Sequence, residues 1–443
     1  MIAPGVMRRG YRLTAGVLLI MMLGGTLPVP LYILYEKRMG FGPLGVTVVF
    51  AAYVVGTLLA LVLLGDLSDH IGRRLVLAAA VVCAAVSTGI FLAATDIGTL
   101  IVARVVSGLA AGFATGTATA ALAELQPRGD HSAAAVVATG SNLTGLGLGP
   151  LVAGLFAQYI VSPTHSVFWA YLGACGVALA AVAVTPETVR HPDHVVSLRP
   201  RLAAPPQIRM VLVGACLGVF AAFTVLGLFS SLVPTFLHSL LGLTNLALIG
   251  GGSFLIFVCA AVSQAFSARL SARMSESVGV PILLVCLGTL EAALFTKELT
   301  LFVIAAVTGG VAVGLIFRGG ISEINRVAES SHRAAVISTF FAVAYVGLGL
   351  PAVLAGLLSV PMGPVDASLV VACLAAVMVV AAFIVVKRVF GLESADTQPG
   401  APREAWCCPE DPDLARSSSP RSRPDSGGPD AGQPTGRDRP GGS

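Results

Sequence analysis

Long runs of apolar residues, separated by short polar segments, dominate the chain from residue 13 to residue 390. A lipid hydrocarbon core about 30 Å thick is crossed by a helix of roughly 20 apolar residues. Twelve runs of about this length occur, and each of them predicts a membrane-spanning helix. The predicted helices 1 to 12 cover residues 13–35, 44–64, 75–94, 98–124, 134–158, 166–185, 210–237, 244–268, 279–296, 299–321, 334–358 and 366–390.

An internal repeat divides these helices into two sets. A shift of 202 positions aligns Gly40 with Gly242, Gly108 with Gly310, Gly112 with Gly314, and the run 145–154 with the run 347–356. The repeat predicts two six-helix halves, residues 1–185 and 210–390, with a substrate path between them near the membrane midplane. A proline-rich linker, 186–209, joins the halves. Residues 391–443, of which 24 of 53 are Gly, Pro or Ser, are expected to form a disordered cytoplasmic tail.

The basic residues of the short loops predict the orientation. With the N-terminus inside, 17 basic residues flank the inner helix ends, and only Lys37, Arg38 and Lys297 flank the outer ends. Short loops rich in Arg and Lys remain on the cytoplasmic side. We therefore expect a multi-pass protein of the inner (plasma) membrane with both termini in the cytoplasm.

The composition excludes several classes of protein. Apolar residues make up 56% of the 443 residues and charged residues only 11%, whereas soluble domains carry about 25% charged residues. A normal soluble enzyme and a disordered scaffold are therefore excluded. The net charge of +4 is too small to indicate a nucleic-acid partner. The Cys and His residues show no convincing metal-ligand pattern, so neither a metal nor a cofactor is expected.

The segment between predicted helices 2 and 3 is a short charged turn, GDLSDHIGRR over residues 65–74. Gly65 and Gly72 allow the backbone to fold tightly. Asp69 precedes Arg73 by four residues, which favours an ion pair if the segment is helical. On physical grounds alone, a loop that merely anchors the topology explains this pattern equally well.

The same segment resembles the signature of the major facilitator superfamily, Gly-x-Leu-Ala-Asp-Arg-x-Gly-Arg-Arg/Lys. The matching residues are Gly65, Leu67, Asp69, Gly72, Arg73 and Arg74. Ser68 and His70 depart from the signature. The resemblance covers about residues 10–390. It implies an all-α membrane fold of twelve helices in two halves related by a pseudo-two-fold axis, and it implies that this loop is a conformational latch between the halves.

Arg104 lies within predicted helix 4. A charged side chain there costs about 2.5–3.5 kcal/mol on insertion scales. It should therefore face a wet cavity or a partner, or extend to the membrane surface. The stretch 104–112 also resembles the second motif of the superfamily, Arg-x-x-Gln-Gly-x-Gly, with Ser107 in place of Gln. This partial resemblance implies a role for Arg104 in proton transfer.

Predicted helix 5 carries a glycine-rich pattern formed by Gly145, Gly149, Pro150 and Gly154. No strand precedes the pattern, which argues against a phosphate-binding loop, and glycines spaced four residues apart allow close helix contact. The pattern is similar to the antiporter motif of the superfamily, Gly-x-x-x-Gly-Pro-x-x-Gly-Gly, with Ala153 as a departure. This resemblance favours export.

The other candidates for cavity or proton-coupling residues, besides Arg104, are Glu291, Asn142, Gln264 and Arg318. An intramembrane carboxylate is a functional candidate by default. A shallow, wet position paired with Lys297 explains Glu291 equally well. Hydrogen bonding between helices, or a position at a helix end, explains the other three.

Together these features predict a secondary active transporter rather than an enzyme. Its cavity would open alternately to each side of the membrane. The first hypothesis is proton-coupled export of a drug-like or metabolite substrate, and the alternative is proton-coupled uptake of a small nutrient. A membrane receptor is a third hypothesis with less support. The expected partners are the small-molecule substrate, protons and the lipid bilayer, with no nucleic acid, and the chain is expected to be a monomer.

Overall fold

The computed structural model describes residues 4–63, 67–189, 205–231, 233–239, 242–267, 270–328 and 333–396. These residues form fifteen α-helices, one short 3₁₀ turn at Pro206–Ile208 and no strand. The helices are α1 (Pro4–Thr26), α2 (Tyr32–Met39), α3 (Pro43–Leu63), α4 (Leu67–Ile71), α5 (Arg73–Leu92), α6 (Ile97–Leu125), α7 (His131–Tyr159), α8 (Pro163–Val184), α9 (Arg209–Ser231), α10 (Val233–Ser239), α11 (Leu246–Phe266), α12 (Ala272–Thr296), α13 (Leu299–Val327), α14 (Arg333–Met362) and α15 (Pro364–Asp396).

The described residues of the twelve predicted runs are largely helical, and one run is interrupted. Predicted helix 1 is divided into α1 and α2 by a turn at residues 27–31, where Pro28 and Pro30 lack the amide hydrogen that a continuous helix requires. Predicted helix 7 corresponds to α9 and α10, and residue 232 between them lies outside the described residues. The remaining predicted helices correspond in order to α3, α5, α6, α7, α8, α11, α12, α13, α14 and α15, and α4 lies in the loop between α3 and α5.

Eleven of the described helices are long and apolar enough to cross a membrane, namely α3, α5 to α9 and α11 to α15. α1 begins at Pro4 rather than at residue 13, so that its first turns carry Arg8, Arg9 and Arg12. The predicted end of the last helix at residue 390 is wrong, because α15 continues to Asp396. Residues 190–204 of the predicted linker and 397–443 of the predicted tail lie outside the described residues.

The helices pack in the same pairs within each half. In the first half, α6 packs against α1, α3 and α5, and α7 packs against α1. In the second half, α13 packs against α9, α11 and α12 in the same way, and α14 packs against α9. Two pairs, α7 with α11 and α3 with α14, join the halves. When each helix is replaced by its equivalent in the other half, the pair α7–α11 becomes the pair α14–α3. This exchange is the arrangement expected from pseudo-two-fold symmetry.

Glycines of the 202-residue repeat occupy equivalent positions in the two halves. Gly40 and Gly242 both have positive φ angles, 73° and 66°, a conformation that glycine adopts without steric cost. Gly108 lies against the backbone of α3, and Gly310 lies against the backbone of α11. In both places a side chain would overlap the neighbouring helix. The sequence repeat is therefore a structural repeat, in which glycine sets the distance between equivalent helices.

Candidate functional site

A cavity of about 960 Å³, counted with the space that is continuous with solvent, lies between the two halves. Residues of α1, α3, α6 and α7 line one side, and residues of α9, α11, α13 and α14 line the other. Its aromatic lining consists of Phe50, Tyr53, Phe223, Phe257, Phe317, Phe341 and Tyr345. Its polar, uncharged side chains are those of Thr26, Thr115, Thr119, Thr139, Asn142, Ser230 and Gln264.

The aromatic side chains of the second half support one another. The ring centroid of Phe223 lies 5.9 Å from that of Phe317 and 6.3 Å from that of Tyr345, and Phe317 lies 5.7 Å from Phe341. Such tilted and edge-to-face pairs are favourable beyond the apolar area that they bury. They present a preformed apolar wall, which suits a solute with a largely apolar body.

The cavity is closed at one end of the helix bundle. We call this closure the distal seal, because it lies opposite the arginine-rich end that carries Arg8, Arg12 and Arg73. Gly154 of α7 lies against the backbone of α11, and Gly356 of α14 lies against Thr47 of α3. Two hydrogen-bonding contacts join the halves here. The amide of Leu246 donates to Oε1 of Gln158 at 2.9 Å, and Lys37 Nζ lies 3.1 Å from Nε2 of His238.

The cavity continues from the distal seal toward the arginine-rich end. Thr119, Thr139 and Gln264 line it on helices that run in that direction. Among the described residues, the close contacts between the halves named above lie at the distal seal, and the cavity extends from there toward the arginine-rich end.

Arg104 is the charged residue of the cavity lining among the described residues. Its side chain is fully buried, with 0% exposure. One Nη donates to the carbonyl oxygen of Gly25 at 2.6 Å. The guanidinium carbon lies 4.6 Å from the ring centroid of Tyr53 and 6.0 Å from that of Phe50, which are cation–π distances. Arg104 thus faces the cavity and not the membrane surface.

Several polar atoms at Arg104 are not fully used in hydrogen bonds. Nε and the second Nη of Arg104 and the hydroxyl group of Tyr53 have no partner among the described residues, and the Tyr32 hydroxyl lies within hydrogen-bonding reach of the guanidinium. A buried donor without a partner costs about 1–3 kcal/mol. No carboxylate among the described residues forms an ion pair with Arg104. The closed end of the cavity therefore holds a buried positive charge with hydrogen-bond donors that the described residues do not fully use.

The structure brings together three of the five predicted cavity residues. Arg104, Asn142 and Gln264 line the cavity, and Nδ2 of Asn142 lies 3.5 Å from Oγ1 of Thr115. Glu291 and Arg318 are not in the lining.

Glu291 and Arg318 pack between helices of the second half instead. Glu291 is buried, and its Oε1 accepts a hydrogen bond from Ser368 of α15 at 2.8 Å, so Lys297 is not the partner observed. Arg318 donates from Nε to the carbonyl oxygen of Ser267 at 2.9 Å, where α11 ends. Both side chains satisfy polar groups between packed helices, which draws them away from the cavity.

The predicted latch loop forms a charged network at the arginine-rich end. Arg73 forms ion pairs with Asp69 and with Glu124 of α6, the latter at 2.9 Å, and it also donates to Ser68. Leu67 begins α4, the short helix that carries Asp69. Gly65 lies outside the described residues.

Glu187, which sequence reasoning missed, completes this network. Its two carboxylate oxygens accept hydrogen bonds from the backbone amides of Arg73 and Arg74, both at 2.9 Å, at the start of α5. Gly72 has a φ of 101°, and a side chain at this position would collide with the Glu187 carboxylate. All these partners belong to the first half except Glu187, which lies at the start of the predicted linker. In this structure the loop therefore joins elements of the first half to the segment that follows α8.

The glycines of the antiporter-like pattern face two helices. Gly145 and Gly149 lie against the backbone of α1 in the same half. Gly154 and the carbonyl of Pro150 lie against α11 of the other half, next to Gly250. The pattern therefore forms one contact within a half and one across the distal seal.

No group of three or more His, Cys, Asp and Glu side chains within the described part of the chain could hold a metal ion. The arrangement of the cavity suits reversible binding of an apolar solute against aromatic rings and one positive charge.

A sequence model of the Major Facilitator Superfamily matches residues 14–290, which is more than half of the chain. The chain belongs to the Major Facilitator Superfamily. Similarity to a solved superfamily structure extends over more of the fold. The human organic anion transporter MFSD10 (TETRAN) aligns with 86% of this chain and 99% of its own, with a TM-score of 0.61 and 17% sequence identity. At this identity the likeness shows the fold, a multi-pass membrane architecture.

Three proteins named as transporters resemble parts of the chain in sequence. A triacylglyceride transporter of Mycobacteroides abscessus is 28% identical over 186 residues, which are 42% of this chain and 34% of that protein. A triacylglyceride transporter of Mycolicibacterium hassiacum is 30% identical over 148 residues, 33% and 27% of the two chains. The MFS efflux transporter aclA of Aspergillus oryzae is 29% identical over 133 residues, 30% and 24% of the two chains. The matched segments span at most about a third of these relatives.

Proposed function

We propose that this superfamily member is a secondary active transporter that exports a small, largely apolar solute in exchange for protons. The observation that carries the proposal is the cavity between the halves, which is lined by both of them and sealed at one end. Rocking of the halves about this cavity would open the distal seal and close the arginine-rich end. The arginine-rich end would face the cytoplasm, in agreement with the charge bias of the loops, and the functional unit would be a monomer.

An apolar solute fits the walls of the cavity. Aromatic rings line both halves, and Arg104 is the charged side chain of the lining among the described residues. Two of the relatives are named triacylglyceride transporters, which points to apolar cargo in related proteins.

Export is supported by two features. The antiporter-like glycine pattern forms part of the distal seal, and one relative is named an efflux transporter. The cavity lining within the described residues contains no carboxylate that could carry a proton. The proton exchange in this proposal therefore rests on the family resemblance.

The test uses everted membrane vesicles, in which an exporter moves solute into the lumen. Accumulation of a panel of small aromatic compounds is compared with and without a pH gradient, and with vesicles that lack the protein. Thr139→Trp, which fills the cavity, should abolish accumulation. Thr308→Trp places the same side chain on α13 at a position outside the cavity lining and should preserve it.

The outcomes separate the hypotheses. Accumulation that depends on the pH gradient supports proton-coupled export. Accumulation in right-side-out vesicles only would indicate the uptake alternative, and saturable binding without movement would indicate a receptor.

A further inference from the structure

We propose that the solute is an organic anion, whose negatively charged oxygen atom binds Arg104 while its apolar body lies against the aromatic wall. This inference rests on the proposed transport function and specifies the substrate class of the same cavity.

Arg104 has no counter-ion among the described residues. A guanidinium group stays protonated in proteins, and Arg104 is fully buried with no ion pair to any described residue. Buried charges are normally paired, because their desolvation is otherwise uncompensated. An anionic solute would supply the missing charge each time it binds.

The donors of Arg104 are only partly used within the described part of the chain. The Gly25 carbonyl oxygen accepts from one Nη, and the Tyr32 hydroxyl lies within hydrogen-bonding reach of the guanidinium. N–H groups at Nε and at the other Nη remain for a solute, and guanidinium N–H groups match the oxygen atoms of a carboxylate particularly well. The Tyr53 hydroxyl belongs to the cavity lining, has no hydrogen-bond partner among the described residues and can donate to the same anionic group.

Neutral and cationic solutes suit Arg104 less well than an anion does. The Tyr53 ring stabilises the positive charge through its face, but it accepts neither of the free N–H groups in the manner of an oxygen atom. A neutral apolar solute would leave these donors unsatisfied, and a cationic solute would be repelled by Arg104. The cavity therefore selects against both classes.

The experiment measures binding of three probes that share one apolar body: naphthalene-2-carboxylate, naphthalene-2-carboxamide and 2-naphthylmethylammonium. The full chain is reconstituted in phosphatidylcholine nanodiscs, and saturable binding is measured by equilibrium dialysis against empty nanodiscs. We expect the wild-type protein to bind the carboxylate at least tenfold more tightly than the amide, and the ammonium compound most weakly. This comparison requires no variant and stands even if a substitution at position 104 prevents folding.

Variants then assign the preference to Arg104. Arg104→Gln should abolish the tenfold preference, and Arg104→Lys should retain part of it. Arg318→Gln removes an arginine from a spanning helix outside the cavity lining and should leave the preference unchanged. A further measurement replaces gluconate, the anion of the dialysis buffer, with 150 mM chloride. This replacement should lower the affinity for the carboxylate probe less than twofold.

Four results would overturn the inference. Equal binding of carboxylate and amide by the wild-type protein would show that no anion is selected. Retention of the preference in Arg104→Gln would place the anion elsewhere. Loss of carboxylate binding in chloride would make Arg104 a site for inorganic anions. Absence of saturable binding of all three probes would contradict the apolar cavity of the proposed function as well, whereas binding without preference contradicts the anion alone.

Discussion

At the scale of single residues, glycines determine how closely the two halves approach. Gly154 lies against the backbone of Leu246 and against Gly250, and a side chain at position 154 would overlap the Leu246 carbonyl oxygen. Small residues permit this close contact between membrane helices. The distal seal therefore depends on the absence of particular side chains as much as on the presence of others.

We expect Gly154→Val to weaken the distal seal. Overpacking costs about 1–3 kcal/mol, and here the cost falls on the sealed state, so its population relative to the opposite state should drop by about 5- to 150-fold. The measurement is the labelling rate of Ser230→Cys in the cavity by an impermeant maleimide from the distal side, in a background without other cysteines. Gly173→Val is the control, since nothing lies within 4 Å of a side chain there. An unchanged labelling rate in Gly154→Val would contradict this role of the glycine.

At the scale of elements, the charged network joins α4, α5, α6 and the segment after α8. Its contacts in this structure stay within the first half and the adjoining residue Glu187. We propose that the network changes partners when the arginine-rich end closes, which would make the loop a latch between the two states.

Asp69→Asn and Arg73→Ala should therefore insert normally but transport slowly. The population of states shifts while the cavity stays intact, and the double variant should be little worse than either single one because both residues serve one network. Arg74→Ala is the control, since Arg74 contributes its backbone amide to Glu187 and its side chain is exposed. The measurement is the initial transport rate of each variant at matched abundance in the membrane. Wild-type rates in Asp69→Asn and Arg73→Ala would reduce the loop to a topology anchor.

The contact between α2 and α10 should make the distal seal sensitive to acid. Nδ1 of His238 lies 3.0 Å from the carbonyl oxygen of Leu243 and must donate to it. Nε2 is then free to accept from Lys37 only in the neutral imidazole. Burial raises the pKa of the neighbouring Glu36 carboxyl, an effect that His238 and Lys37 oppose. Protonation of Glu36 therefore removes a negative charge beside the contact between Lys37 and His238.

Acidification of the distal side from pH 8 to pH 5.5 should consequently increase labelling of Ser230→Cys from that side, because the raised pKa of Glu36 makes its carboxyl lose the negative charge beside Lys37 at a higher pH than an ordinary glutamate does. Glu36→Gln removes the titrating group and should flatten this response. A pH response that persists in full in Glu36→Gln would exclude this carboxyl as its source.

The sequence predicts the helices well because long apolar runs have few alternatives in a membrane. It does not predict which face of each helix meets the cavity. The runs are apolar all round, so periodicity cannot separate Phe223 or Tyr345 in the cavity wall from an aromatic residue that faces lipid. It also misses Glu187, whose partners lie more than a hundred positions away along the chain. The turn at residues 27–31 was missed because membrane helices tolerate proline, and so Pro28 and Pro30 did not by themselves indicate an interruption.

At the scale of the whole molecule, the orientation proposed from the loops can be checked directly. Arg73→Cys should be labelled only after the membrane is made permeable, whereas Lys297→Cys should be labelled in intact cells. The measurement is maleimide labelling with and without permeabilisation. Labelling of Arg73→Cys in intact cells would reverse the orientation, and with it the proposed direction of transport.

Because Arg104 lies at the end of a one-sided cavity, its charge makes the change of access sensitive to the membrane voltage. Water in the cavity carries the potential of the side to which it opens, so a change of access moves this fixed charge between two potentials. One elementary charge moved through 100 mV corresponds to about 2.3 kcal/mol. With the arginine-rich end inside, an inside-negative voltage holds the empty protein open to the cytoplasm. A bound monoanion cancels the charge and releases the protein from this bias. The change of access in the unloaded protein should produce a capacitive current that is absent in Arg104→Gln. In a resting cell, the empty transporters would therefore be open mainly to the side where the solute accumulates.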